Sequence, residues 1–183
     1  MIRYLSIGLL MLSSAAALAD GPSYSYIQGS YQEWDIDSAD GDGFGVGGSV
    51  AIGDKFHIFA DYASVEFESV LDVDLTTAGV GYHHGATEKT DFFVELGFAD
   101  IDVESLGDDS GLLARIGVRS MISESLELWA AVSETDFDDV DLGTEFGAGA
   151  WYTISGNFAV GAEARFADDV DRFGIGIRLF FDK

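Results

Sequence analysis

The sequence predicts an all-β protein: an antiparallel up-and-down transmembrane β-barrel of about ten strands, with about eight strands as the alternative. Three observations predict it. The first residues have the pattern of an export signal, and the chain beyond them divides into short segments that alternate between apolar and polar residues. The last of these segments, 173–181, ends on an aromatic residue, as the closing strand of an outer-membrane barrel does.

The amino-terminal stretch predicts a cleaved signal peptide. Arg3 supplies a basic start, residues 5–12 form an apolar core, and Ala17-Leu18-Ala19 gives a small-x-small cleavage site. The apolar run is shorter than the ~20 residues that a membrane-spanning helix needs. We therefore expect residues 1–19 to be removed and residues 20–183 to form one domain. Because no later run is long enough to span as a helix, a membrane-embedded chain must be a closed barrel.

Composition agrees with an exported, turn-rich domain. The 183 residues include 23 Gly, one Pro and no Cys, which suits a barrel that is stabilised by closure without disulfides. The net charge of −24 argues against nucleic-acid binding and against attachment to an anionic surface through the protein's own charge.

Glycine-rich and acidic breaks divide the chain into strand-sized segments. The predicted strands are 24–34, 44–53, 55–65, 73–84, 90–103, 112–122, 125–134, 142–155, 157–167 and 172–181. Tight turns alternate with longer acidic stretches, which predicts short turns on the periplasmic side and external loops on the other side. The predicted acidic loops are 35–42, 66–72, 104–111, 135–141 and 168–171.

The last segment alternates without a break. One face carries glycines and a charge, and the other face is a continuous apolar stripe: Phe173, Ile175, Ile177, Leu179 and Phe181. Alternate side chains of a strand point to opposite faces, so the stripe is predicted to face lipid. We expect the barrel assembly machinery to read this stripe as the assembly signal.

A set of charged residues is predicted to point into the lumen, because a charge on the lipid face is destabilising. The set is Glu95, Arg115, Arg119, Glu127, Glu145, Glu163, Arg165 and Arg178. Counting back from the turns predicts Glu95 opposite Arg119, with Glu127 on its other flank. The same count predicts Glu145 opposite Arg165. We interpret these pairs as filling the lumen; a conducting pathway is the alternative.

The acidic loops predict a ring of carboxylates at the outer rim. Its candidate members are Asp35, Asp37, Asp40, Asp42, Asp136, Asp138, Asp139 and Asp141. One interpretation is a solvated rim that resists aggregation. The other is weak uptake of Ca²⁺ or Mg²⁺, hard cations that prefer carboxylate oxygens and would bridge the rim to anionic lipopolysaccharide.

Histidines provide little sign of catalysis or of a tight metal site. His57, His83 and His84 are predicted near one periplasmic rim, but His83 and His84 are consecutive and point to opposite faces. No histidine lies near the acidic stretches, where an outer-membrane hydrolase would need one. We expect no enzymatic activity and no cofactor beyond weakly bound divalent cations.

Several short stretches resemble a family of small porin-like outer-membrane barrels that was once described as a secreted quorum-sensing factor. They are Ala19-Asp20-Gly21, Ser23-Tyr24-Ser25-Tyr26, Asp40–Gly45, Gly48-Ser49-Val50-Ala51 and 56–62. More broadly, the chain resembles the opacity and outer-membrane-protein-A-like small barrels. The resemblance implies a small barrel in the outer membrane and implies no catalytic residue.

These patterns predict a structural or surface-facing protein of the bacterial outer membrane, in contact with lipid and lipopolysaccharide. One alternative is a narrow porin for small solutes, and another is an outer-membrane enzyme that acts on lipid or peptide. A third is a soluble periplasmic barrel of the lipocalin kind, whose wet exterior the apolar stripes argue against. The sequence leaves the oligomeric state open.

Overall fold

The computed structural model describes residues 21–36, 39–67, 71–104, 107–137, 143–168 and 170–181. Within these ranges ten strands form one closed antiparallel barrel, which confirms the predicted fold class. The strands are β1 Tyr26–Ile36, β2 Ala39–Ile52, β3 Phe56–Phe67, β4 Leu71–Thr87, β5 Thr90–Val103, β6 Gly107–Met121, β7 Leu126–Phe137, β8 Thr144–Ser155, β9 Phe158–Phe166 and β10 Val170–Phe180. The predicted signal peptide lies outside the described residues. Within the described residues, no helix is long and apolar enough to cross a membrane.

Each strand pairs with its sequence neighbours, and β1 pairs with β10 to close the sheet, with Tyr26 opposite Phe180. We call the end of the barrel that carries this pair the terminal end, and the other the acidic end. The tight turns of the terminal end include Gly53 and Gly156, both with positive φ (65° and 46°). Positive φ suits glycine because it has no Cβ, so these turns form where the sequence predicts them.

The predicted boundaries of the acidic loops are wrong, because the strands continue into them. Asp35, Asp40 and Asp108, for example, lie on β1, β2 and β6 and point outwards. The acids alternate with residues such as Ile101 and Val65, which are buried inside the barrel. Burial of these alternate apolar side chains extends the strands beyond the lipid-facing band.

The outer face of the barrel is an apolar band, and β10 shows it most clearly. Its predicted stripe is exposed on the outside, and Arg178 and Phe180 are buried on the inside. The stripe from Phe173 to Phe181 is about 26 Å long at ~3.3 Å per residue, or about 20 Å along the axis of a barrel with ~40° strand tilt. This height approaches the ~25 Å apolar band of outer-membrane barrels.

Aromatic pairs mark the edges of the apolar band. Phe44 and Tyr62 lie towards the acidic end, with ring centroids 6.3 Å apart. Phe56 and Tyr82 lie next to the turns of the terminal end, with centroids 5.4 Å apart. Aromatic girdles of this kind occur at both membrane interfaces of outer-membrane barrels.

Among the described residues, the lumen contains two clusters of buried apolar side chains. The first, which we call the apolar collar, lies inside the acidic end and consists of Trp34, Ala63, Val65, Phe67, Val73, Ala99, Ile101 and Phe137. The second, at the terminal end, consists of Trp151, Ala159 and Phe180, with Tyr26 and Trp129 packed against it. Charged residues of the lumen adjoin both clusters: Arg172 stacks on Trp34, and Arg178 stacks on Trp151.

The exposed aromatic after β10 provides a test of the assembly signal. The Phe181 amide donates to the Ser25 carbonyl oxygen (2.9 Å), while its ring faces outwards. We expect Phe181→Asp to lower the amount of barrel in the outer membrane, because it replaces the terminal aromatic with a charge at the edge of the apolar band. Phe181→Leu, which keeps the stripe apolar, is the matched control. Cell fractionation measures both, and a normal level of Phe181→Asp would contradict the assembly role.

Candidate functional site in the lumen

One carboxylate joins two opposite sides of the lumen. Oε1 of Glu127 on β7 accepts hydrogen bonds from Arg119 on β6, at 3.1 Å from Nε and 2.8 Å from Nη2. The same oxygen accepts a hydrogen bond from Nη1 of Arg178 on β10, at 3.2 Å. Strands β7 and β10 are separated by β8 and β9, so this contact crosses the interior. Glu127 is only 2% exposed, and it compensates two buried cations.

A second cluster is built around Glu95 on β5. Its Oε2 accepts a hydrogen bond from Arg115 Nη1 (2.8 Å), and its Oε1 accepts one from His57 Nε2 (2.9 Å). His57 lies on β3, so it reaches Glu95 across β4. Gly81 of β4 pairs with both residues, and a Cβ at this position would collide with the imidazole. The glycine therefore makes the contact between β3 and β5 possible.

Glu145 on β8 forms the third cluster, nearer the acidic end. It pairs with Arg165 of β9 (3.2 Å between Oε1 and Nη1) and with Arg172 of β10. Ser133 of β7 donates a hydrogen bond to the same carboxylate (3.1 Å). Glu163 adds a weaker contact with Arg165 Nε at 3.5 Å. We call the three clusters together the lumen network.

The structure brings the eight predicted lumen charges into this network, but one predicted pairing is wrong. Glu95 lies opposite Arg115, whereas Arg119 lies opposite Asp91. The prediction assumed a long loop between β5 and β6, but the strands run on until Val103 pairs with Gly107. This longer ladder shifts the cross-strand partner of Glu95 by four residues. Glu145 and Arg165 do form the predicted ion pair, although they are not directly opposite in the register.

Each arginine of the lumen also lies over an aromatic ring. The guanidinium of Arg178 lies 4.0 Å from the ring centroids of both Tyr26 and Trp151. The other stacked pairs are Arg115 with Phe59, Arg119 with Tyr24, Arg165 with Trp129 and Arg172 with Trp34. A guanidinium is weakly hydrated and attracted to an aromatic face, so these rings replace part of the water that each cation loses.

The residues before β1 occupy the mouth of the terminal end. We call residues 21–25 the amino-terminal plug. Within it Tyr24 is 4% exposed, stacks on His83 (centroids 3.9 Å apart) and lies beneath the Arg119 guanidinium at 4.4 Å. Arg119 Nη2 also donates to the Ser23 carbonyl oxygen at 2.8 Å. Burial raises the pKa of the Tyr24 phenol, so Tyr24 is neutral at physiological pH.

A cavity of about 150 Å³ lies among the described lumen side chains. Its lining includes Gln28, Gln32, Asp61 and Arg165, together with Trp34 of the apolar collar. A space of this size and polarity holds a few water molecules. Side chains of the network, among them Arg115 and Glu145, and side chains of the apolar collar border this cavity, so the interior is only partly filled there.

The acidic end carries its carboxylates on the outside of the strands. Asp35 lies directly opposite Asp40, and Asp102 lies opposite both Asp74 and Asp108. Of the predicted rim, the structure describes Asp35, Asp40, Asp42 and Asp136, whereas Asp37, Asp138, Asp139 and Asp141 lie outside the described residues. In the described ranges, no group of three or more His, Cys, Asp or Glu side chains is placed to hold a metal ion.

Sequence reasoning missed His57, Tyr24 and the apolar collar as parts of the interior. The collar left a signal, because Val and Ile alternate with acids in 65–67, 71–75 and 99–103. For His57 and Tyr24 the sequence offers only the alternation of side chains: each occupies an inward-facing position, His57 on β3 and Tyr24 on the extension of β1. Their partners come from strands that are not adjacent in sequence, so no local pattern identifies them.

The lumen network predicts a large loss of stability when its central carboxylate is neutralised. Glu127→Gln leaves Arg119 and Arg178 without a compensating charge in a buried site. Removing one partner of a buried ion pair costs about 3–5 kcal/mol. Urea unfolding of the refolded barrel in detergent measures the effect. Glu134→Gln, on the exposed outer face of the same strand, is the control. Equal unfolding midpoints for the two variants would contradict the prediction.

No family model matches the chain, and no curated protein matches it. Among solved structures, it is similar to the KdgM porin in complex with disordered oligogalacturonate (TM-score 0.54, 8% identity, 84% of this chain and 98% of that chain). Other matches are OprG from Pseudomonas aeruginosa (0.47, 15%, 87% and 97%) and the NanC porin (0.46, 10%, 85% and 98%). The barrel fold matches that of bacterial outer-membrane proteins, and the chain has the fold of a small outer-membrane β-barrel.

Proposed function

We propose that this chain is an outer-membrane barrel with a structural or surface-facing role, whose lumen is closed to solutes in its resting state. The observation that carries the proposal is the Glu127 carboxylate, which holds Arg119 and Arg178 from two sides of the interior. A conducting pore keeps its lining charges hydrated and separated. Around Glu127 the charges are paired and buried, and both arginines stack on aromatic rings, as in a packed core.

The same proposal places the terminal end in the periplasm and the acidic end outside the cell, because short turns face the periplasm in barrels of this kind. It includes contact with lipid along the apolar band, and insertion by the barrel assembly machinery. It includes no enzymatic turnover, because His57 is 1% exposed and hydrogen-bonded to Glu95. A buried imidazole that is hydrogen-bonded to a carboxylate is poorly placed to meet a lipid or peptide substrate.

A narrow porin is the second candidate function. The cavity of about 150 Å³ beside the lumen network favours it, since this space could admit a small polar solute. The KdgM structure contains an oligogalacturonate, which is a polyanion. A polyanion approaching this chain would meet the outward carboxylates of the acidic end and be repelled. If the lumen conducts, we therefore expect small ions or neutral solutes to pass in preference to polyanions.

We further propose membership in the porin-like family once described as a quorum-sensing factor. The stretches that carry the resemblance include Tyr24, Tyr26 and His57. In the structure Tyr24 and Tyr26 lie against Arg119 and Arg178, and His57 binds Glu95. The resemblance thus falls on residues that close the terminal end, which is the part of the barrel on which the proposed resting state depends.

We also propose weak binding of divalent cations at the acidic end, bridging the barrel to lipopolysaccharide. Directly opposed residues of an antiparallel pair have Cβ atoms about 4.5–5.5 Å apart, and like charges there repel. Asp102 has such neighbours on both sides, Asp74 and Asp108. Ca²⁺ or Mg²⁺ between these carboxylates would relieve the repulsion and present positive charge to lipid phosphates.

Single-channel recording in planar bilayers tests the closed lumen. We expect the wild-type barrel to show little conductance, and Arg119→Ala to show more. The variant removes one cation while Glu127 keeps Arg178, so no buried carboxylate is left uncompensated. Lys89→Ala, in an exposed turn of the terminal end, removes the same charge outside the lumen and is the control. A wide, stable channel in the wild type would overturn the closed-lumen proposal and favour the porin.

Thermal unfolding in detergent tests the cation proposal. We expect millimolar CaCl₂ to raise the unfolding midpoint by more than NaCl of equal ionic strength does. Screening by salt weakens all the repulsions equally, whereas a bridging ion acts on specific carboxylate pairs. The double variant Asp102→Asn with Asp108→Asn should lose part of the calcium response. An identical midpoint in the two salts would leave only a solvated rim.

A further inference from the structure

We propose that the amino-terminal plug is a gate. The plug closes the terminal mouth in the resting barrel, and its departure from the mouth admits small ions or polar solutes. The inference rests on the proposed closed lumen and adds the element that opens it. Three features of the plug carry the inference: its burial, its separateness from the sheet, and the composition of its contacts.

Burial shows that the plug fills the mouth. Ser23 and Tyr24 are buried although they precede the first strand. The Tyr24 ring lies 4.7 Å from the His57 centroid and 3.9 Å from that of His83, so it covers the interior faces of β3 and β4. Through Arg119 it also reaches β6. One side chain thus contacts three strands of the barrel wall.

The sheet is complete without the plug. Closure begins at Tyr26, which pairs with Phe180 of β10 and also with Ser49 of β2. Ser25 joins the plug to the barrel. Its carbonyl oxygen accepts a hydrogen bond from the Phe181 amide, and its Oγ accepts one from the Ala51 amide. Residues 21–24 have no strand ladder. Their departure would therefore break no strand pairing, which is the structural requirement for a gate.

The contacts that hold Tyr24 are ring contacts and a neighbouring hydrogen bond, which a short segment can break and form again. They are a cation–π contact with Arg119, ring contacts with His83 and His57, and the Arg119 hydrogen bond to the neighbouring Ser23 carbonyl oxygen. The Tyr24 hydroxyl itself has no hydrogen-bond partner within the described chain, although it is buried. A buried polar atom without a partner opposes the closed state. The plug is therefore held less firmly than a residue of the barrel core.

The mouth that remains after the plug leaves is compensated in charge. Arg119 keeps its two hydrogen bonds to Glu127, and His57 keeps its bond to Glu95. No buried charge loses its ion-pair partner, but departure of the plug releases Arg119, the cation of the lumen network whose loss is expected to raise conductance, from Tyr24 and from the Ser23 carbonyl oxygen. The space that Tyr24 vacates borders polar groups, which suits small ions and polar solutes.

Recordings in planar bilayers with the full mature chain test the gate. We expect Tyr24→Ala to raise the open probability by about fivefold or more, because it removes both the cation–π and the stacking contact. Tyr24→Phe keeps the ring and loses only the hydroxyl that lacks a partner, so it should remain as closed as the wild type. If both variants stay as closed as the wild type, the plug is not a gate, and the closed-lumen proposal still stands. A wild type that already conducts steadily would instead overturn the closed lumen.

Thiol labelling gives a readout that does not depend on conductance. The chain has no cysteine, so Ser23→Cys introduces a single thiol within the plug. We expect slow reaction of this thiol with a charged maleimide, and reaction about tenfold faster when Tyr24→Ala is added, since burial limits access to the thiol. Asp54→Cys, in an exposed turn of the same end, should react fast in both backgrounds. Fast labelling of Ser23→Cys in the otherwise unchanged barrel would show that the plug is not held in the mouth, and would overturn the inference.

Discussion

In a lipid bilayer every backbone N–H and C=O of a strand must bond to another strand, because hydrocarbon offers no partner. Pairing of Tyr26–Ile36 with Val170–Phe180 meets this requirement by removing both edges of the sheet. Once the sheet is closed, alternate side chains can only face lipid or lumen. The apolar outer band, the charged interior and the position of the amino-terminal plug all depend on this closure.

Closure creates the main electrostatic problem of the molecule, which is how to keep five arginines in a narrow interior. The structure stabilises them with carboxylates and aromatic rings. Glu127 bonds Arg119 and Arg178, while Trp151 and Tyr24 lie against their guanidinium faces. An ion pair alone compensates charge, but the rings also replace lost hydration. Together, the carboxylates and the aromatic rings allow the charged side chains to pack almost as the apolar side chains of a protein core do.

The two ends of the barrel differ in what lies inside them. At the acidic end, apolar residues such as Val65 and Ile101 line the inside, while the acids beside them face solvent. At the terminal end, the lumen network is covered by a segment that belongs to no strand. The apolar collar consists of residues of several strands and borders the cavity, whereas the plug belongs to no strand and can leave without breaking a strand ladder. Any regulated passage is therefore expected at the terminal end.

The sequence by itself predicted about ten strands and determined the face of each strand side chain and the tight turns, since a period of two and residues such as Gly53 encode them locally. It also identified eight of the charges that point inwards, although Arg172, which pairs with Glu145, was not among them. Only the tertiary structure decided their partners. Register depends on how far β5 and β6 extend, so Glu95 meets Arg115 where Arg119 was predicted. Contacts across the lumen, such as that of His57 with Glu95, depend on closure of the whole barrel, which no local pattern records.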